Sequence, residues 1–149
     1  MKLRHRLFGL FALLILAPVA SGAGVEFRSI NETSILYATP SDQARKLYII
    51  KRGTPVEIVV VIDNWAKVRD SNGALSWIEE RRMSPARTVM VTAEPVAEIR
   101  SAPEEAAAKV FDAATYVILE LVTPPDDGWV EVKHENGTGY VRINQIWGV

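Results

Sequence analysis

Beyond its first two dozen residues the chain has a single histidine, His134, and it has no cysteine at all. Acid–base catalysis needs a titratable pair within hydrogen-bond reach, and nucleophilic catalysis needs a base beside a hydroxyl or thiol. His134 sits beside the Asn136-Gly137 turn signal and reads as a solvated turn residue. Carboxylates occur as the neighbours Glu79-Glu80, Glu104-Glu105 and Asp126-Asp127. Neighbours on a strand point to opposite faces and neighbours in turns point apart, so none of these reads as a two-acid site. No metal-ligand spacing, phosphate-cradling glycine loop or Ser-His-Asp set is present, and no enzyme activity, cofactor or metal is expected. The aromatic residues are better candidates. Trp65, Trp77, Trp129 and Tyr140 recur inside two similar stretches, with Arg69 and Lys133 near them. Trp, Tyr and Arg are the side chains that most often anchor recognition of another chain, so these six residues form the expected ligand-binding set.

The elements that must position them are written twice. "DNWAKVRDSNGALSWIEE" (63–80) is echoed by "DDGWVEVKHENGTGYVR" (126–142), and "ATPSDQ" (38–43) by "SAPEEA" (101–106). Trp65 matches Trp129 and Gly73 matches Gly137 at an offset of sixty-four, and Pro40 matches Pro103 at sixty-three. Two units of about sixty residues follow, 25–88 and 89–149, each marginal alone and therefore expected to pack against the other. Val56–Ile62, Thr88–Thr92 and Tyr116–Val122 are β-branched runs bounded by turn residues, which predicts strands. Glu104–Phe111 contains strong helix formers but is too short to stand as a helix, and a turn leading into a strand is expected there.

Within each echo the residues alternate with period two. In the second unit an Asn136-Gly137 two-residue turn pairs Glu135 with Thr138, Val132 with Val141 and Val130 with Ile143. Val130, Val132, Val141 and Ile143 then face the core, and Trp129, Glu131, Lys133, Tyr140 and Arg142 face away. Glu131 comes opposite Arg142, and Lys133 opposite Tyr140. The first unit has one more residue, absorbed by a three-residue loop Asn72-Gly73-Ala74 with Gly73 left-handed. Val68 then faces Ile78, Lys67 faces Glu79 and Arg69 faces Trp77. The four rings thus lie on the nominally wet face, where they either bind a partner or are covered by a loop or by the other unit.

Residues 1–23 read as a secretory signal peptide. Lys2, Arg4 and Arg6 precede an apolar run too short to span a bilayer, and small residues follow, with cleavage expected after Ala23. A periplasmic or secreted protein is expected, without stable membrane insertion after cleavage. The absence of cysteine excludes a lipid-attached Cys and disulfides. Seventeen Lys and Arg against eighteen Asp and Glu, with no basic cluster, argue against nucleic acid as a partner.

"KRGTPVEIVVVIDNWAKVRDSNGALSWIEERRMSPARTVMV" and "EIRSAPEEAAAKVF" with "DDGWVEVKHENGTGYVRINQIWGV" resemble the two halves of a tandem from the bacterial Src-homology-3-like (SH3-like) family of exported proteobacterial proteins. The resemblance implies an all-β fold of two small barrels, five- or six-stranded, with no catalytic role. Relatives of this type bind cell-wall peptides or mediate protein contacts. The family opens each unit with an Asn-x-Arg-x-Gly-Pro-like motif. The second unit keeps Arg100 and Pro103 but has Glu98 and Ala102, and the first has Ile35 and Tyr37 in place of Asn and Arg. A cell-wall peptide or an envelope-protein peptide is the expected partner. The alternative is a structural subunit of an envelope assembly.

Overall fold

A computed structural model describes residues 24–149, and the signal peptide assigned to 1–23 lies outside the described residues. Among the described residues fourteen strands build two antiparallel sheets. The first comprises β1 (Glu26–Ile30), β2 (Ser34–Tyr37), β3 (Lys46–Ile50), β4 (Pro55–Ile62), β5 (Trp65–Arg69), β6 (Leu75–Glu79) and β7 (Met83–Ser84). The second comprises β8 (Thr88–Val91), β9 (Val96–Arg100), β10 (Lys109–Ala114), β11 (Ile118–Leu121), β12 (Trp129–His134), β13 (Gly137–Arg142) and β14 (Ile146–Trp147). Their spatial orders, β3-β2-β6-β5-β4-β1-β7 and β10-β9-β13-β12-β11-β8-β14, are the same order twice. Each unit has seven strands rather than five or six, because a two-residue strand closes each one after a short 3₁₀ turn (Glu80–Arg82 and Ile143–Gln145).

The β-branched runs form strands because alternate residues bury an aliphatic face. Val56, Ala66, Val68 and Ile78 close one core, and Val89, Leu119, Val130, Val132 and Val141 close the other. Glu104–Phe111 is a turn followed by β10, as its length requires. β11 starts two residues later than the pattern predicts, since Tyr116 takes a left-handed backbone (φ 70°) and turns the chain before Ile118.

Both hairpins are shifted from the expected register by two residues. In the second, Trp129 pairs with Arg142, Val130 with Val141, Lys133 with Thr138 and His134 with Gly137, which leaves Glu135-Asn136 as the loop. In the first, Lys67 pairs with Trp77, Ala66 with Ile78 and Arg69 with Leu75, and the loop is Ser71-Asn72-Gly73. Its Asp70 carboxylate accepts from the backbone N–H of Asn72 and Ala74, both at 2.9 Å, and Gly73 is left-handed (φ 82°). A shift of two leaves every side chain on its own face, so the alternation holds while the opposed pairs change. Ile143 leaves the core, because the 3₁₀ turn begins there and it is exposed. Close packing sets the second register. A Cβ on Gly139 would stand 2.5 Å from the Arg100 carbonyl oxygen, so only glycine lets β13 lie this near β9.

The units meet through residues other than the four rings. Phe27 packs edge-on against Trp147 at 5.1 Å, and the Arg87 guanidinium covers Phe27 while donating to the Gly148 carbonyl at 2.7 Å. The Thr88 hydroxyl donates to the Gly53 carbonyl, and its backbone N–H donates to the Ser29 hydroxyl. Burial of the repeated rings against the other unit, one of the alternatives the sequence left open, is therefore not what seals the joint. An aromatic residue of β1 and the closing Trp147 do so instead.

Candidate functional site

In the first unit the turn Asp63-Asn64, with Asp63 left-handed (φ 53°), delivers Trp65 to the start of β5. Tyr37, from β2, meets Trp65 edge-to-face at 5.4 Å and pairs across the sheet with Trp77. Lys67 Nζ stands 5.9 Å from the Trp77 ring centre, near the outer limit of a cation–π contact. Tyr37, Trp65 and Trp77 are all partly buried.

A cleft of about 560 Å³ lies beside Trp65, lined by Arg28, Asn64, Glu79, Glu80 and Arg81. A smaller hollow of about 150 Å³ runs along Thr33, Ser34, Ile35 and Tyr37, and Glu79 borders both. The charges are held by one another. Glu79 is ion-paired with Arg81 at 2.7 Å and accepts from Arg82 at 3.2 Å, and Arg28 reaches Glu26 at 2.8 Å and Glu80 at 3.4 Å. The hydrogen bond to Glu79, then that to Glu32, raises the Arg82 guanidinium pKa above its ordinary value. The wall of the cleft offers one aromatic ring, Trp65, and both signs of charge, a combination suited to a polar extended chain.

The second unit arranges matching residues differently. A turn through Asp127 and Gly128, both left-handed, brings Trp129 to the same place, but its ring is only 5% exposed. The Arg142 guanidinium lies 4.4 Å from the Trp129 ring centre, and Glu105 holds it there through Nε at 2.7 Å and Nη2 at 2.6 Å. Trp129 is thus on the expected face but capped. Tyr140 pairs with Glu131 on one side and Arg100 on the other, not with Lys133. Lys133 is exposed near the far end of the hairpin, opposite Thr138. Clefts of about 470 and 320 Å³ flank Trp129, and the larger includes Pro103, Pro124 and Tyr140.

Of the expected set, the structure gathers Trp65 and Trp77 into one cluster. It moves Arg69 away from Trp77 to Glu57, at 3.3 Å. His134 is half-buried against Phe111, with ring centres 6.0 Å apart, rather than a freely solvated turn residue. Tyr37 and Glu105 were missed as site residues because each reaches its partner from a distant part of the sequence, and Glu79 because it was read only as one of two strand neighbours pointing apart. The only available signal was the exchange of sign between Glu79 and Arg142 at matching positions. Among the described residues no group of three His, Asp or Glu side chains is placed to hold a metal.

A family model described as a bacterial SH3 domain matches residues 31–85 and matches again at 93–148. The chain belongs to the bacterial SH3 domain family. It carries the domain twice, and the matching strand orders give that repetition its three-dimensional form. No curated protein matches. Among solved structures, this bacterial SH3 pair is similar to NlpC2 from Trichomonas vaginalis (15% identity over 84% of this chain and 48% of that one, TM-score 0.40). It is also similar to NlpC1 from the same organism (18%, 95% and 51%, TM-score 0.40) and to an NlpC/P60 family protein from Bacillus cereus (17%, 81% and 55%, TM-score 0.37). The chain spans about half the length of each.

Proposed function

We propose that the chain is an exported, non-catalytic binding module whose first SH3 unit holds an extended peptide in the Trp65 cleft, the peptide belonging to the cell wall or to an envelope protein. The observation that carries this reading is the open Tyr37–Trp65 pair beside a cleft lined by Arg28, Arg81, Glu79 and Glu80. A ring fixed edge-on by its neighbour loses little conformational freedom when a ligand covers it, which favours binding. Carboxylates of a ligand meet Arg28 and Arg81, and its amines meet Glu79 and Glu80. Trp129 and Tyr140 serve the fold of the second unit more than the ligand. The test is intrinsic Trp fluorescence titrated with soluble wall peptides, beside pull-down on purified sacculi. A saturable change that Trp65→Ala abolishes supports the reading. No change at millimolar peptide, together with no retention on sacculi, removes wall binding.

A second reading, a structural subunit of an envelope assembly, has its own observation. Where the units meet, Tyr48, Ile49 and Tyr116 are exposed around a cleft of about 480 Å³ that reaches Met90. It predicts a co-purifying protein that Tyr116→Asp releases while peptide binding survives.

A further inference from the structure

β4 runs for eight residues, but β1 covers only its first half. The last β1 pairing is Glu26 with Ile58, so one edge of Val59, Val60, Val61 and Ile62 has no neighbouring strand among the described residues. After a bulge at Val59 the other edge is held by β5, with Val60 opposite Lys67, Val61 opposite Ala66 and Ile62 opposite Trp65. All four side chains are exposed, at 40–49%. Such an edge shows a row of backbone donors and acceptors flanked by aliphatic groups, which is a template for another strand. Sheet proteins blunt such edges with proline, charge or a short strand. The second unit does so. Its β11 stops after four residues, and Pro124-Pro125 follow where β4 would still be extended.

We propose that Val59–Ile62 is a self-association edge at which two copies of this chain pair their β4 strands antiparallel about a two-fold axis. The segment argues for a second copy because it is its own complement, with four uncharged β-branched residues and acids only at the flanks. With the axis at Val61, Val61 meets its own counterpart and Val60 meets Ile62 of the other copy, so opposed side chains share a face. Asp63 then comes across from Val59 rather than Glu57, so no two carboxylates oppose each other. An antiparallel pair of identical edges closes on itself and stops at a dimer. Trp65 begins the strand after this ribbon, so pairing brings the Trp65 clefts of two copies near one dyad. A repetitive polymer would then be held at two points, with an avidity that neither cleft has alone. That last consequence rests on the peptide reading, whereas the dimer does not.

Sedimentation velocity on the exported protein reads the dimer directly. The expected result is a concentration-dependent species of twice the chain mass. Val61→Lys abolishes it with an unchanged thermal melt, since residue 61 is 41% exposed. The chain lacks cysteine, so single introduced thiols report proximity cleanly. Val61→Cys should form a disulfide-linked dimer at least tenfold faster than Val122→Cys, a control at an exposed site beside Pro124-Pro125. Monomer at all concentrations overturns the proposal, whether the edge stays bare or is taken by a peptide or by the residues before Gly24. Dimer that persists in Val61→Lys, or equal crosslinking of the two thiols, also overturns it. Peptide binding is read separately by Trp65 fluorescence, so loss of either property leaves the other interpretable.

Discussion

The two units share strand order, turn positions and a tryptophan delivered by a left-handed acidic turn, yet one tryptophan is open and the other is sealed. The difference rests on the residue paired across the sheet from each ring. Trp129 faces Arg142, whose guanidinium can lie flat on an aromatic face while donating to the Glu105 carboxylate. Trp65 faces Glu79, an anion that a ring face repels and that turns instead to Arg81 and Arg82. One exchange of sign thus separates a structural tryptophan from an available one. The same division appears at the strand ends, where β4 leaves an aliphatic edge bare and the Pro-Pro segment of the second unit does not. The first unit keeps the free surfaces, and the second is the better sealed.

Removing each ring gives the largest contrast. Trp129→Ala should cost about 3–5 kcal/mol in urea unfolding, as for other buried aromatic residues. Trp65→Ala should cost no more than about 2 kcal/mol, because its ring is less fully buried than that of Trp129. Equal costs would end the distinction between sealed and open. Exchanging Gly139 and Ser76, which occupy matching places before Tyr140 and Trp77, probes the packing next. Gly139→Ser should destabilise by about 1–3 kcal/mol, since its Cβ has nowhere to go. Ser76→Gly should lose only about 0.5–1 kcal/mol of backbone entropy. A neutral Gly139→Ser would show that β9 and β13 can separate freely.

Swapping the sign sharpens the comparison further. Arg142→Glu removes the cap and sets two carboxylates together. It should lower stability by about 1–2 kcal/mol and raise acrylamide quenching of Trp129 in a single-tryptophan background. If quenching is unchanged, the cap is not what excludes water. The reciprocal Glu79→Arg should shield Trp65 and weaken peptide binding by about tenfold, or 1.4 kcal/mol, with little change in stability. Unaltered affinity would separate the binding surface from the Trp65 face. The smallest effect is expected from Glu105→Gln, whose exposed ion pair is worth under about 1 kcal/mol. It should loosen Arg142 and raise Trp129 quenching slightly.

Repetition, turn chemistry and period-two alternation are local, and the sequence alone carried them: an all-β chain, two copies of one bacterial SH3 unit, and the face on which each aromatic lies. Those features survive a two-residue slip, which is why the faces were legible while the opposed pairs were not. Register depended on how near β13 can approach β9 at Gly139, a distance between strands forty residues apart. The burial of Trp129, the openness of Trp65 beside Tyr37, and the Phe27–Trp147 joint are likewise meetings of residues remote in sequence. Side-chain type sets what each can do, but only the tertiary structure decides which guanidinium reaches which ring, because packing is settled by all the strands together.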